Sequence, residues 1–281
     1  MTDKGKWGSR ELTIEFLNFY NEQVSLLEEL YQLQFGKFDS IQNNRLCTIY
    51  PLLFSIHQTG VCINILASQG GYLNACYILG RAFIEKSSNY IYIIFCDQTE
   101  FSRYVNYTMQ KGVRSQHRTI NIKNQFAAEL SMSGYDDLLK RPEIEKVIRQ
   151  FTSQKGKPIT RWTSKRLEDM LVTISENGHI NVGFLAMAIL EIYEKASESL
   201  HGTIYGALYD SGIFEVPSIE SKTQEDMHKM RHGQFNALFL ILGLCVHTLL
   251  QAVDKTDSIN DILFKSKNNI VKVQSLFSQL H

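Results

Sequence analysis

Tyr72-Leu-Asn-Ala-Cys76-Tyr-Ile-Leu-Gly80-Arg81-Ala-Phe-Ile-Glu85-Lys-Ser-Ser88-Asn-Tyr-Ile-Tyr92-Ile-Ile-Phe-Cys96 is the stretch that decides the fold. Apolar residues recur at three- and four-residue spacing nearly all round, and the only charges are Arg81, Glu85 and Lys86. A helix that is apolar on every side is buried, so this segment reads as the central helix of an all-α protein. Arg81 and Glu85 stand four apart, and Ser88 and Tyr92 continue a polar strip along one edge. On a solvated face such an ion pair contributes about 0.2–0.5 kcal/mol. On a buried helix a charge needs a partner or a task.

A second helix is expected over 183–208, carrying Tyr193-Glu-Lys-Ala-Ser197-Glu-Ser-Leu-His201-Gly-Thr-Ile-Tyr205. At 100° per residue, Tyr193, Ser197 and His201 fall within about 80° of one another. Leu190, Leu200, Ile204 and Leu208 share that arc, so the three polar residues are expected on the buried face. His201 is the candidate general acid or base, with Tyr193 and Ser197 as hydrogen-bonding neighbours and Glu85 as the carboxylate that holds Arg81. A serine one turn before a histidine also suggests a nucleophile and its base. Helical i,i+4 geometry rarely aligns a side chain that short, and no loop resembles an oxyanion hole.

The third element is a long helix expected over Gln224 to Val253, with Thr223 and Asp226 at capping-box spacing. His228, Arg231 and His232 share an arc with Phe235, Leu238, Phe239 and Leu242, which points the cluster inward. Two histidines at i,i+4 have metal-ligand spacing, yet there is no HExxH and no carboxylate between them, so no metal is expected. The cluster reads instead as a place for an anionic group, with Arg81 and Arg231 as the cations. The rival reading is a non-enzymatic interaction protein whose buried polar residues only fix helix register.

Four prolines and few alternating runs support a single bundle of about 7–10 helices over residues 10–281, after a loose tail at 1–9. Residues 134–163 are the least regular. A first helix is expected from Glu11 to Leu33 with Ile14, Leu17, Val24, Leu27 and Tyr31 inward. A second runs from Ser40 to Ser68, with Pro51 as a kink and Gly60 as a close-packing point. A polar helix from Glu100 to Met132, capped by Thr99, carries Arg103, Lys111, Arg114, Arg118 and Lys123.

Lysine plus arginine equals aspartate plus glutamate at 29 each, so no net field draws the whole chain to nucleic acid or an anionic membrane. The run from Arg103 to Lys123, with Tyr104 and Tyr107, reads as a solvated helix face, with RNA contact as its functional alternative. The five cysteines form no CxxC and suit a reducing compartment. No GxxxxGK[ST], GxGxxG or facing ExxH pair is present, so no cofactor is identified. The N-terminus lacks an apolar signal core. Ala237 to Leu250 is shorter than the roughly 20 apolar residues a membrane span needs. The expectation is a cytoplasmic protein without a membrane partner, able to self-associate into a homo-oligomer, whose ligand is an anionic small molecule or RNA.

Arg81-x-x-x-Glu85 on an apolar helix, Trp162, and Tyr193-x-x-x-Ser197-x-x-x-His201-Gly202 resemble an uncharacterised family of bacterial helical proteins, catalogued as a domain of unknown function. The likeness covers roughly residues 45–250 and implies a fold and a site location without a reaction. A looser resemblance links the chain to nucleotide-binding helical bundles of prokaryotic toxin and defence systems, many of them ribonucleases. Their mark is an arginine followed four to six residues later by histidine. Here Arg114 and His117 are too close and Arg231 and His232 adjacent, so that motif is missing.

Overall fold

The structure is a computed structural model, and it describes residues 7–36, 44–69, 72–123, 125–201 and 223–278. In chain order come α1 (Arg10–Gly36), α2 (Asn44–Ser68), α3 (Leu73–Phe95) and α4 (Gln98–Ser115), then strands β1 (His117–Ile122) and β2 (Gln125–Ser131). The short helices α5 (Tyr135–Leu139) and α6 (Pro142–Gln150) follow. The chain continues with α7 (Leu167–Gly178), α8 (Gly183–Ala188), a π-helical segment at Ile189–Tyr193, α9 (Glu194–Leu200), α10 (Gln224–Asp254) and α11 (Asn260–Ser278). The protein is predominantly all-α: among the described residues 78% are helical and one small two-stranded sheet is present. Its contacts divide it into two compact units, Met1–Phe95 with Leu167–His281, and Cys96–Arg166.

In the larger unit α3 is the central helix that its composition predicts. It lies against α2, α10, α7 and the segment from the π-helix through α9. Tyr77, Phe83, Tyr90, Ile91, Tyr92 and Ile93 are almost wholly enclosed. Helix ends leave carbonyls unsatisfied, and α3 has no basic residue in its last turn. Arg45 of α2 fills that role by donating Nη1 to the carbonyls of Ile93 and Ile94 at 3.3 and 3.2 Å. Asn177 donates Nδ2 to the carbonyl of Phe95 at 3.1 Å. At Gly80 an added Cβ would sit 3.1 Å from both Ile192 and Leu238, so the missing side chain lets α3, α10 and the π segment close together.

α10 begins with the capping box that its sequence announces. Asp226 N donates to Thr223 Oγ1 and Thr223 N to Asp226 Oδ2, both at 3.1 Å. Among the described residues two helices, α10 and Arg45–Ser68 of α2, are long and apolar enough to cross a membrane, and 83% and 44% of their most apolar windows are buried within the protein. α1 packs on α10, α2 and α11. Tyr20 donates to the carbonyl of Gly60 at 3.1 Å, the close approach expected at that glycine. Ile14 is 49% exposed, while Leu12, Phe16, Phe19 and Tyr20 face inward. The inward stripe of α1 therefore runs along the aromatic residues, not through Ile14.

The smaller unit corrects one expectation. The polar helix ends at Ser115 instead of continuing to Met132, and it is capped by Asp97 instead of Thr99, with Glu100 N donating to Oδ1 at 2.8 Å. Residues 117–122 and 125–131 instead pair as antiparallel strands. His117-Arg-Thr-Ile-Asn-Ile122 carries β-branched residues at Thr119, Ile120 and Ile122, the two isoleucines separated by one polar residue. Such a run favours a strand over a helix whose face it cannot fill. Lys123 turns the chain with a φ of 50°.

Inside this unit Phe101, Val113, Ile144, Val147 and Phe151 are buried. Two arginines of the basic run are consumed by packing. Arg103 donates Nε to the carbonyl of Trp162 at 2.5 Å and stacks over Phe151. Arg114 donates to Thr152 Oγ1 at 2.8 Å and to the carbonyls of Ile148 and Phe151 that close α6. Trp162 packs edge-on against Tyr104 at 5.3 Å.

Candidate functional site

Four of the sequence-chosen residues meet. Arg81, on α3, donates Nε to Glu85 Oε1 at 3.2 Å, Nη1 to Ser197 Oγ at 3.0 Å and Nη2 to the Tyr193 hydroxyl at 3.2 Å. Its guanidinium also lies over the Tyr193 ring, 4.5 Å from the centroid. The Ser197 hydroxyl donates in turn to the Tyr193 carbonyl at 2.8 Å. Each guanidinium nitrogen thus has a partner of its own. Three of the five N–H donors an arginine carries are used, and among the described residues nothing takes the other two. The Arg81 side chain is 20% exposed and that of Glu85 41%, so the cluster sits at the rim of the helix contact.

The local geometry follows from the π segment and the small residues around it. The buried stripe of this region is Leu185, Ala188, Ile189, Ile192 and Ala196. It runs one position ahead of the expected stripe through Leu190, Tyr193, Ser197 and Leu200. One position is 100° on a helix, which turns Tyr193 and Ser197 to the flank, where Arg81 reaches them. Leu190 and Leu200 are consequently 63% and 55% exposed. Gly80 and Ala196 carry little bulk, so α3 and α9 approach closely enough for a bond between short and long side chains. π segments of this kind frequently mark functional positions in helices.

Burial raises the Tyr193 hydroxyl above its ordinary pKa, the neighbouring Glu85 carboxylate adds to that, and Arg81 opposes both. Tyr193 therefore stays a neutral donor and acceptor. A cleft of about 430 Å³ opens beside it, lined by Leu190, Tyr193, Glu194, Lys195, Ser197 and Glu198.

His201 does not join the cluster as expected. α9 ends at Leu200, and His201 is the C-cap, its N–H directed to the Ser197 carbonyl and its side chain exposed. The helix stops before its face comes round, so His201 makes no described side-chain bond to Tyr193, Ser197 or Arg81. Gly202, Ile204, Tyr205 and Leu208 lie outside the described residues.

The α10 cluster is separate. Phe235, Leu238, Phe239 and Leu242 are buried as expected, but His228 is exposed and Arg231 and His232 are half-buried. His228 lies in the first turns of α10, ahead of the apolar run that faces the core, which leaves it in solvent. His232 Nδ1 lies 3.0 Å from Thr13 Oγ1 of α1. Burial lowers the His232 pKa, and the neighbouring His228, Arg10 and Arg231 add to the effect. Tyr77 reaches the Gln234 carbonyl and Gly80 faces Leu238. Arg231 therefore lies about two turns, roughly 10 Å, before the level of Arg81. The two arginines do not converge on one phosphate. Among the described residues no three His, Cys, Asp or Glu side chains group closely enough to hold a metal ion.

The fold and cluster define a class: a helical bundle in which an arginine on the central helix is gripped by a tyrosine and a serine of a neighbouring helix. The chain belongs to the family described as Family of unknown function (DUF5677), whose model matches residues 48–213, more than half of the chain. Arg81, Glu85, Tyr193, Ser197 and His201 all fall within that span, whereas His228, Arg231 and His232 lie beyond it. Neither the comparison with curated proteins nor that with solved structures gives a match.

Proposed function

We propose that this protein is a helical-bundle binding protein whose Arg81 cluster recognises a small anion, a nucleotide or the phosphate of an RNA end. The observation that carries the reading is the guanidinium itself. It is oriented by Glu85, Ser197 and Tyr193, it keeps two donors that no described residue takes, and its two cross-helix partners line an open cleft. An arginine held in place loses little freedom on gripping a planar or tetrahedral anion. Recognition is favoured over catalysis because His201, the expected acid or base, stands apart in solvent. The five cysteines are all free and three are buried, which supports a reducing, cytoplasmic setting. A nucleotide is the first probe because its phosphates are tetrahedral anions of the kind an oriented guanidinium grips.

The second reading rests on the same bonds. Three internal partners for one guanidinium also describe a clamp that fixes the register of α9 on α3. A thermal-shift titration with ADP and with inorganic phosphate separates the two. A ligand bound only by the folded state raises Tm, by about 2.7 kcal/mol of added stability at a hundredfold excess over Kd. The expected result is a shift in the parent protein that is lost in folded Arg81→Gln. A parent Tm indifferent to both probes at millimolar concentration supports the clamp.

A further inference from the structure

The zero net charge of the chain hides a division. Residues 96–166, the smaller unit, contain fourteen lysines and arginines against seven aspartates and glutamates, an excess of seven positive charges. The remaining residues hold fifteen and twenty-two, an excess of seven negative charges. Lys140 and Arg149 have acidic neighbours at Asp137 and Glu145, but Arg118 and Lys123 on the hairpin are exposed and neither makes a described ion pair. The hairpin is itself unusual. Every residue of β2 and five of the six in β1 are exposed, and a lone two-stranded ribbon is marginal in water. Strand alternation puts Arg118, Ile120 and Ile122 on one face, and Leu130 and Ala128 are paired opposite the first two. Ile120, Ile122 and Leu130 are 60%, 61% and 54% exposed.

We infer that this ribbon is a docking element for double-stranded DNA, with its basic and aliphatic face in the major groove. A two-stranded ribbon fits the roughly 12 Å width of that groove. Its length, roughly 20 Å at about 3.3 Å per residue, crosses the groove between phosphate walls. Arg118 and Lys123 supply phosphate contacts, and Ile120 and Ile122 supply apolar contacts of the kind thymine methyls accept. The other occupants fit less well. A hydrocarbon surface excludes the unpaired backbone groups along both ribbon edges and the interleaved Thr119, Asn121 and Gln125. A-form RNA closes its major groove to side chains, and single strands call for aromatic platforms, of which the ribbon offers only Phe126. A second copy paired ribbon to ribbon would bring two like-charged units together, and one docked through its acidic remainder would show as self-association without DNA binding.

The test is fluorescence anisotropy of the full-length protein with a labelled duplex of about 20 base pairs, from about 50 to about 200 mM salt. Affinity is expected to fall steeply with salt. In the Arg118→Ala/Lys123→Ala variant it should be about tenfold weaker at the lowest salt, with the log–log slope shallower by about 2. Both positions are exposed, so circular dichroism should report an unchanged fold. The Ile120→Thr/Ile122→Thr variant should weaken binding without altering the slope. The inference is overturned by absent DNA binding, by undiminished binding in the arginine–lysine variant, or by tighter binding to a matched RNA duplex or to phosphatidylserine vesicles. It stands apart from the Arg81 site, whose titration with ADP and phosphate can fail or succeed independently.

Discussion

Arg81 Nη1 donates to Ser197 Oγ at 3.0 Å, joining residues 116 positions apart in the chain. A hydrogen bond to a charged group contributes about 1.5–3 kcal/mol, and partial exposure at the rim trims that to about 1 kcal/mol. A double-mutant cycle of Arg81→Gln and Ser197→Ala, read by urea unfolding, should therefore show a coupling of about 1 kcal/mol. Additive effects would mean that the two side chains do not meet in solution.

The halves of this relationship are legible in sequence, and their meeting is not. Arg81-x-x-x-Glu85 and Tyr193-x-x-x-Ser197 are each visible because helical spacing of four is local. Which helix lies beside which depends on packing, here on Gly80 against Ile192 and Leu238, and no periodicity reports that. The same limit explains His201. Its spacing continues the pattern, but the helix ends one residue earlier and the buried stripe lies one position away. The strands at 117–122 and 125–131 are hidden by their basic residues, which also suit a solvated helix face, although the β-branched Thr119, Ile120 and Ile122 favour a strand.

His247 makes a prediction about pH. It is buried, its Nδ1 lies 2.8 Å from Ser266 Oγ, and that hydroxyl donates to Gln23 Oε1 at 2.8 Å. Burial, with Lys267 adding to it, lowers its pKa from 6.5 to about 4. The fold thus favours the neutral ring. The stabilisation is complete above the unfolded pKa and is lost as pH falls from about 6.5 through about 4, for a total of about 3 kcal/mol. Urea unfolding across that window should show this loss, and His247→Asn should flatten it. An equally steep profile in the variant would assign the acid sensitivity to other groups.

Two glycines in helices should respond to alanine in opposite directions. A Cβ on Gly243 in α10 would lie 2.5 Å from the ring of buried Phe19. Gly243→Ala should destabilise by about 1–2 kcal/mol despite its better helix propensity. Gly112 in α4 has nothing within 4 Å of that position, so Gly112→Ala should stabilise by about 0.5–1 kcal/mol. Thermal melts of both variants check the signs, and a stable Gly243→Ala would contradict the close approach of α1 and α10.

The most direct test of the anion-binding reading is native mass spectrometry of the freshly purified full-length protein beside Arg81→Lys. Lysine keeps the charge but loses the planar fork that Glu85, Ser197 and Tyr193 orient. The reading predicts a co-purifying anion on the parent protein, identifiable by its mass, that is absent from the variant. A parent mass equal to that of the bare chain, or the same adduct on both proteins, would contradict it and leave the Arg81 cluster as a clamp between α3 and α9.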